Sequence, residues 1–163
     1  MVAGSAYARY ATTKTLNGTL TISAELGSIA LNGATVEEKL IPGVDIDVNR
    51  EIIITDKSSI PAYVYLVVET NILESHKLSF SPSNEWQEIR RTTADGKTKT
   101  VYVYADGAGP VAVDSNMTIS VGGVLQVSQY VNVPSSVNLT FTAEMYQTAA
   151  GNSAAEVYTN FNN

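Results

Sequence analysis

Short runs of alternating apolar and polar residues recur along most of this chain. Thr19-Leu20-Thr21-Ile22-Ser23-Ala24 and Val44-Asp45-Ile46-Asp47-Val48 put an apolar side chain at every second position, the period of a strand with one wet face. Ile52-Ile53-Ile54 and the stretch from Ala62 to Glu69 are more uniformly apolar, which predicts central strands covered on both sides. Runs at Thr100 to Tyr104, Met117 to Val121 and Val137 to Met145 bring the expected total to roughly eight or nine strands. The turn signals agree. Asn17-Gly18, Asn32-Gly33, Asp95-Gly96 and Asp106-Gly107 each supply residues that tolerate positive φ in tight turns. Lys57-Ser58-Ser59-Ile60-Pro61 reads as a hairpin-type loop.

Helical signals are few. Ser153-Ala154-Ala155-Glu156 has the capping-box spacing, with Ser153 placed to cap the first turn and Glu156 to reach back, so a short helix over 154–161 is predicted. Leu73 to Lys77 is long enough for one further turn. Many short strands bury their apolar faces economically in two packed layers. The expected fold is therefore all-β, a jelly-roll-like β-sandwich of two antiparallel sheets with short helical segments.

Composition supports this reading. The chain has 163 residues, one ordinary domain's worth, with no internal repeat or low-complexity tract to divide it. Charged residues make up 16%, below the usual quarter, while Val, Ile, Thr and Tyr suit pleated, half-buried surfaces. A net charge of −6 argues against a nucleic-acid partner or an anionic membrane surface and reads as solubility. No run approaches the roughly 20 apolar residues of a membrane span.

The chemistry of catalysis is sparse. The sequence has no cysteine and one histidine, His76, which removes thiolate chemistry, Cys-based metal sites and the two-histidine zinc motif. His76 lies in the polar run Glu74-Ser75-His76-Lys77 and reads as a solvated surface residue rather than a catalytic one. Asp45 and Asp47, with Asp56 or Glu51, offer oxygen ligands to a hard cation such as calcium, but without the glycine-turn spacing of a calcium loop they read as a strand's wet face. No phosphate-cradling glycine loop occurs. Glycosylation sequons begin at Asn17, Asn116 and Asn138, a pattern common by chance in chains rich in Asn and Thr. Nine tyrosines could line a sugar-binding platform, although their alternate spacing favours core and cross-strand positions. Trp86 is a candidate packing landmark. No enzyme activity, metal or cofactor is expected.

The opening stretch, MVAGSAYARYATT, carries no charged side chain before Arg9. Ala6-Tyr7-Ala8 fits the small-x-small pattern of a signal-peptide cleavage site, with Ala6 and Ala8 as the small residues, while a basic n-region and a full apolar segment are missing. An initiator Met followed by a strand start is the plain alternative.

In order along the chain, several landmarks resemble the TasA/camelysin family of exported bacterial proteins. These are Ser5-Ala6-Tyr7-Ala8-Arg9-Tyr10, the strand Gly18-Thr19-Leu20-Thr21-Ile22, Leu40-Ile41-Pro42-Gly43, and Ser59-Ile60-Pro61-Ala62-Tyr63-Val64. Asn84-Glu85-Trp86 leading to Tyr102-Val103-Tyr104, Ala143-Glu144-Met145-Tyr146-Gln147, and Ser153-Ala154-Ala155-Glu156 follow. The resemblance covers nearly the whole chain. It implies a jelly-roll domain over 17–163, preceded over 1–16 by an extended donor strand and signal-cleavage region. It also implies export from a Gram-positive bacterium and assembly into extracellular biofilm-matrix fibres as a homopolymer, with accessory matrix proteins as further partners. Some relatives are labelled metalloproteases, a label the single His76 leaves without an evident metal site.

Fibres of that family grow by donor-strand exchange, in which the N-terminal segment of one subunit fills an open sheet position in the next. Such a donor must be extended, low in charge and unable to fold onto its own domain. Ala6, Tyr7, Ala8, Tyr10, Thr12, Thr13, Thr15 and Leu16 fit: small or β-branched, with Tyr10 as the large anchor. The competing expectation is a cell-surface adhesin or carbohydrate-binding module using exposed tyrosines. No sorting signal of the L-P-x-T-G type occurs, so association is expected to be non-covalent.

Overall fold

A computed structural model describes residues 11–15, 26, 28–32, 41–72, 74–130 and 138–163. The early strands are β1 (Ala11–Thr15), β2 (Ser28–Asn32), β3 (Ile46–Asp47), β4 (Glu51–Thr55) and β5 (Ala62–Thr70). The middle of the chain adds β6 (Leu78–Ser81), β7 (Trp86–Ala94), β8 (Lys97–Asp106), β9 (Gly109–Pro110) and β10 (Ala112–Val113). It closes with β11 (Met117–Ser120), β12 (Val124–Val127), β13 (Leu139–Gln147) and helix α1 (Ala154–Phe161). All described strand pairs are antiparallel.

The large sheet runs β1-β13-β5-β8-β7, with β10 beside the start of β5 and β9 beside the end of β8. Its centre is β5, AYVYLVVET, which is buried almost throughout. Period-2 geometry sends Val64, Leu66 and Val68 to one face and Tyr65 and Val67 to the other. The first face joins Phe141, Ala143 and Met145 of β13 and meets Ile29, Leu31, Ile52, Ile54 and Ile119 from a second layer in one core. The second face, with Val101, Val103 and Tyr146, is covered by Ala154, Val157 and Tyr158 of α1.

The second layer consists of two ladders, β11-β4-β2 and β3-β12-β6. Val121 N–H donates to Arg50 O and Val48 N–H to Gly123 O, each at 2.9 Å, so the pairing of β4 with β11 continues in the same register into that of β3 with β12. The ladder bends at Gly122 (φ 53°) and Gly123 (φ 107°). A Cβ on Gly123 would meet Ser81 O and lie 2.7 Å from Pro82 Cα, so glycine is what lets this strand pass so close to the 81–82 backbone.

Several sequence expectations need correction. The 57–61 loop is a crossing between layers, because β4 pairs with β2 and β11 while β5 lies in the large sheet. Both flanking strands are apolar enough to face one another across the core, which a hairpin in one sheet would prevent. Of the run 44–48 only Ile46–Asp47 is strand, with Val48 adding its bond to Gly123 O; Asp45 instead accepts the Val127 N–H with its carboxylate at 2.9 Å. Strands β2, β6, β7, β9, β10 and β12 fall outside the runs that the sequence predicts. The predicted strand 19–24 and the Asn17-Gly18 turn lie outside the described residues.

Other expectations match. Asp95 (φ 52°) and Gly96 (φ 73°) turn β7 into β8 with two left-handed residues, the backbone of a tight hairpin. Glu74–His76 forms a 3-10 turn. Helix α1 occupies 154–161 as predicted, with Ser153 Oγ accepting the Glu156 N–H at 3.2 Å. Glu156 reaches back one residue further than the capping box predicts, taking the Asn152 N–H at 3.0 Å. Trp86 is buried, packs edge-on to Tyr104 with ring centroids 5.8 Å apart, and donates its indole N–H to Ser120 O at 3.0 Å. It ties the large sheet to the second layer.

Candidate strand-pairing edge

The path of the large sheet ends in two strands of different character. On one side β13, apolar on its core face and long enough to span the sheet, takes β1 as its outer neighbour. The register is Ala11 with Tyr146, Thr12 with Met145, Thr13 with Glu144, Lys14 with Ala143 and Thr15 with Thr142. On the other side lies β7, WQEIRRTTA, exposed along most of its length. Glu88 and Arg91 form a two-pronged ion pair there at 2.7 and 3.0 Å. The pairing with β8 slips between Glu88 and Arg90, and Ile89 turns in against the α1 cluster. Charge and a bulge are the ordinary devices that keep an edge from recruiting another strand.

Of the predicted donor residues, Thr12, Thr13 and Thr15 lie in β1. Ala6, Tyr7, Ala8, Tyr10 and Leu16, including the cleavage candidates Ala6 and Ala8, fall outside the described residues. Within one chain, residues 11–15 pair with their own domain, so the expectation of a stretch unable to do so does not hold for them. The physical reason is that β13 offers an edge whose backbone groups need partners, and this segment supplies them without a second molecule.

Beneath this edge, on the helix side, sits a group that sequence reasoning did not single out. Glu144 is 9% exposed, accepts the Tyr146 hydroxyl at 2.9 Å and stands opposite Thr13 and Tyr65 in the ladders. Burial raises its pKa above the ordinary carboxylate range, and the Tyr146 hydrogen bond and the Lys99 charge pull only partly the other way. Around it the Tyr65, Tyr146 and Tyr158 rings pack at centroid distances of 5.2 to 6.1 Å. Tyr146 also stacks on Phe161 at 4.5 Å. Tyr65 donates its hydroxyl to Ala154 O at 2.8 Å, fixing the first turn of α1. Burial pushes all three phenols upward. The available signal was a lone carboxylate inside the apolar run Ala143-Glu144-Met145.

The remaining candidates are scattered. His76 is half-buried at the end of its 3-10 turn. Asp47, Glu51 and Asp56 are exposed, and among the described residues no three of His, Cys, Asp or Glu group so as to hold a metal ion. Tyr65, Tyr102, Tyr146 and Tyr158 are buried, Tyr63 and Tyr104 half-buried, so these tyrosines serve packing rather than an open platform. Tyr7 and Tyr10 lie outside the described residues. Asn116 Oδ1 accepts the Lys57 N–H at 2.8 Å and so braces the 57–61 crossing. No helix among the described residues is long and apolar enough to cross a membrane.

No protein-family model, curated protein or solved structure matches the chain.

Proposed function

We propose that this protein is a structural subunit of an extracellular, biofilm-matrix filament of a Gram-positive bacterium. Its domain is a jelly roll that polymerises head to tail by exchange of the N-terminal strand. The observation that carries this reading is the β13 edge, closed by a five-residue strand from the N-terminal part of the chain. A second copy's 11–15 segment can make the same ladder in the same register, so exchange conserves every backbone hydrogen bond. The contact it creates is heterologous and propagates as an open filament. The charged, bulged β7 edge supports the same reading, because it leaves the large sheet one pairing margin rather than two. The secreted setting, the homopolymer and the accessory matrix partners rest on the resemblance of the sequence landmarks.

The test uses the absence of cysteine in the chain. Thr15→Cys and Thr142→Cys variants, whose positions face each other across β1 and β13, are made separately, mixed and oxidised. Strand exchange yields a covalent heterodimer from the mixture and none from either variant alone, together with filaments in negative-stain microscopy. The reading fails if wild-type protein forms no filaments and the mixture stays monomeric. Deleting residues 1–16 then separates the readings further: a binding module keeps its activity without them, whereas a fibre subunit loses assembly.

A further inference from the structure

The described residues expose three large apolar side chains, and all three belong to two adjoining turns. Ile41 is 56% exposed, Val44 50% and Tyr130 76%. Val44 N–H donates to Ile41 O at 3.0 Å, with Pro42 and Gly43 between them and Gly43 at φ 77°, the residue pattern of a type II turn. A Cβ on Gly43 would lie 3.7 Å from Gln129 Cβ, so the residue preceding Tyr130 packs on this turn. The Tyr130 N–H is held by Ser128 Oγ at 3.1 Å.

The position of this patch follows from the topology. Strand β12 leads to it, above a cluster of Ile72, Leu78, Leu125 and Val127 packed with Leu139. Ile72 follows the end of β5 and Leu139 opens β13, so the patch lies at the end of the large sheet where β13 begins. Ala11 pairs with Tyr146, seven residues further along β13, roughly 23 Å away at the rise of a strand. Because β1 is antiparallel to β13, the chain arrives at Ala11 from that far end, heading from a direction away from the patch. Any strand that pairs with β13 in this register, from its own chain or another, delivers the residues before Ala11 at the pole opposite the patch.

We propose that the apolar pole made by Ile41, Val44 and Tyr130 seats Arg9 and Tyr10 of a second copy stacked head to tail. This rests on the filament reading above and names the residues that receive the next subunit. The chemistry is complementary. Tyr10 brings an aromatic ring to an apolar surface, and Arg9 is the one charged side chain in residues 1–10. Exposed Asp45 and Asp47 follow the turn that bears Ile41 and Val44, and they supply the opposite charge, although one Asp45 carboxylate oxygen already accepts the Val127 N–H. Seating within one chain would require the segment to reverse and run back along the whole sheet.

The experiment places a benzoylphenylalanine photocrosslinker at position 130 of the full chain. Nitrogen-15-labelled and unlabelled batches are mixed, irradiated and mapped by mass spectrometry. The expected result is a crosslink from position 130 to the peptide containing Arg9 and Tyr10, about half of it joining the two isotopes. Crosslinks confined to single isotopes (seating within one chain), crosslinks to another surface, or none would overturn the proposal. Mixed crosslinks without filaments would show a closed contact between two copies and overturn the head-to-tail stacking together with the filament reading; filaments without the crosslink would overturn the proposal and leave the filament reading standing. As a second readout, Arg9→Glu and Asp47→Lys each raise the concentration needed for self-association about tenfold, with unchanged thermal unfolding, and the double variant restores it. A double variant no better than the single ones would also overturn the proposal.

Discussion

Replacing Glu144 by Gln removes a charge that the fold buries beside an aromatic cluster. The groups facing the carboxyl are Tyr146 from its own strand, Tyr65 from β5, Tyr158 from α1 and the more distant Lys99 of β8. One hydrogen bond, from the Tyr146 hydroxyl at 2.9 Å, offsets the loss of water, and a Gln carbonyl can accept it equally. Since the folded pKa lies above the unfolded one, the folded state holds the proton more tightly. The stability this gives is complete below the unfolded pKa and is lost as pH rises through the folded pKa. As pH rises through the folded pKa, wild-type protein comes to carry a desolvated carboxylate, while the variant carries a neutral isostere. Once that carboxylate is formed, the expected gain for Glu144→Gln is about 1–3 kcal/mol. For a domain of this size each kcal/mol moves the midpoint by roughly 2–4 °C. Thermal unfolding of both proteins by circular dichroism from pH 4 to pH 8 isolates this residue from the other carboxylates, because only the difference curve counts. The difference should be near zero at the acid end and open as pH rises. A variant less stable at neutral pH, or a gap independent of pH, would refute the reasoning.

Three further perturbations probe the packing under helix α1 and the bend of the second layer. Tyr65→Phe removes the buried hydrogen bond to Ala154 O. It should cost about 1 kcal/mol in chemical denaturation and speed amide exchange across 154–161; unchanged exchange would deny the contact its role. Tyr158→Phe should instead be neutral or stabilising by up to about 1 kcal/mol in the same assay, since the Tyr158 hydroxyl is buried with no hydrogen-bond partner. Gly123→Ala, at φ 107° and against the Pro82 Cα, should lose more than about 2 kcal/mol, read as a lower denaturant midpoint.

What could be read from the chain depended on whether each signal was local. The capping box at Ser153 and Glu156 is local, and α1 occupies its predicted span. Strand β5 announces itself because it is buried on both faces, which leaves a continuous apolar run. Strand β7 is hidden for the opposite reason: from Gln87 to Thr93 it is exposed on both faces apart from Ile89, so no period of two survives. The loop 57–61 shows a further limit. Its residues signal a turn, yet nothing in them distinguishes a hairpin within one sheet from a crossing between two, since both join apolar strands.

The edge itself lies on the far side of that limit. Low charge and β-branching marked residues up to Leu16 as a donor unable to fold onto its own domain, whereas residues 11–15 pair with β13 of their own chain; which strand accepts them depends on topology. Alternation in β13 assigns Phe141, Ala143 and Met145 to one face and Glu144 and Tyr146 to the other, but does not say that β13 lies next to the sheet's margin. The charges of β7 then acquire a meaning they lacked in sequence. Glu88, Arg90 and Arg91 could as well have been a solvated face, and only their position on the outermost strand makes them a guard. The large sheet thus has one margin guarded by charge and a bulge and one closed by a strand from the N-terminal part of the chain. That asymmetry is what the proposed head-to-tail polymer asks of it, since strand exchange is then confined to a single margin of that sheet.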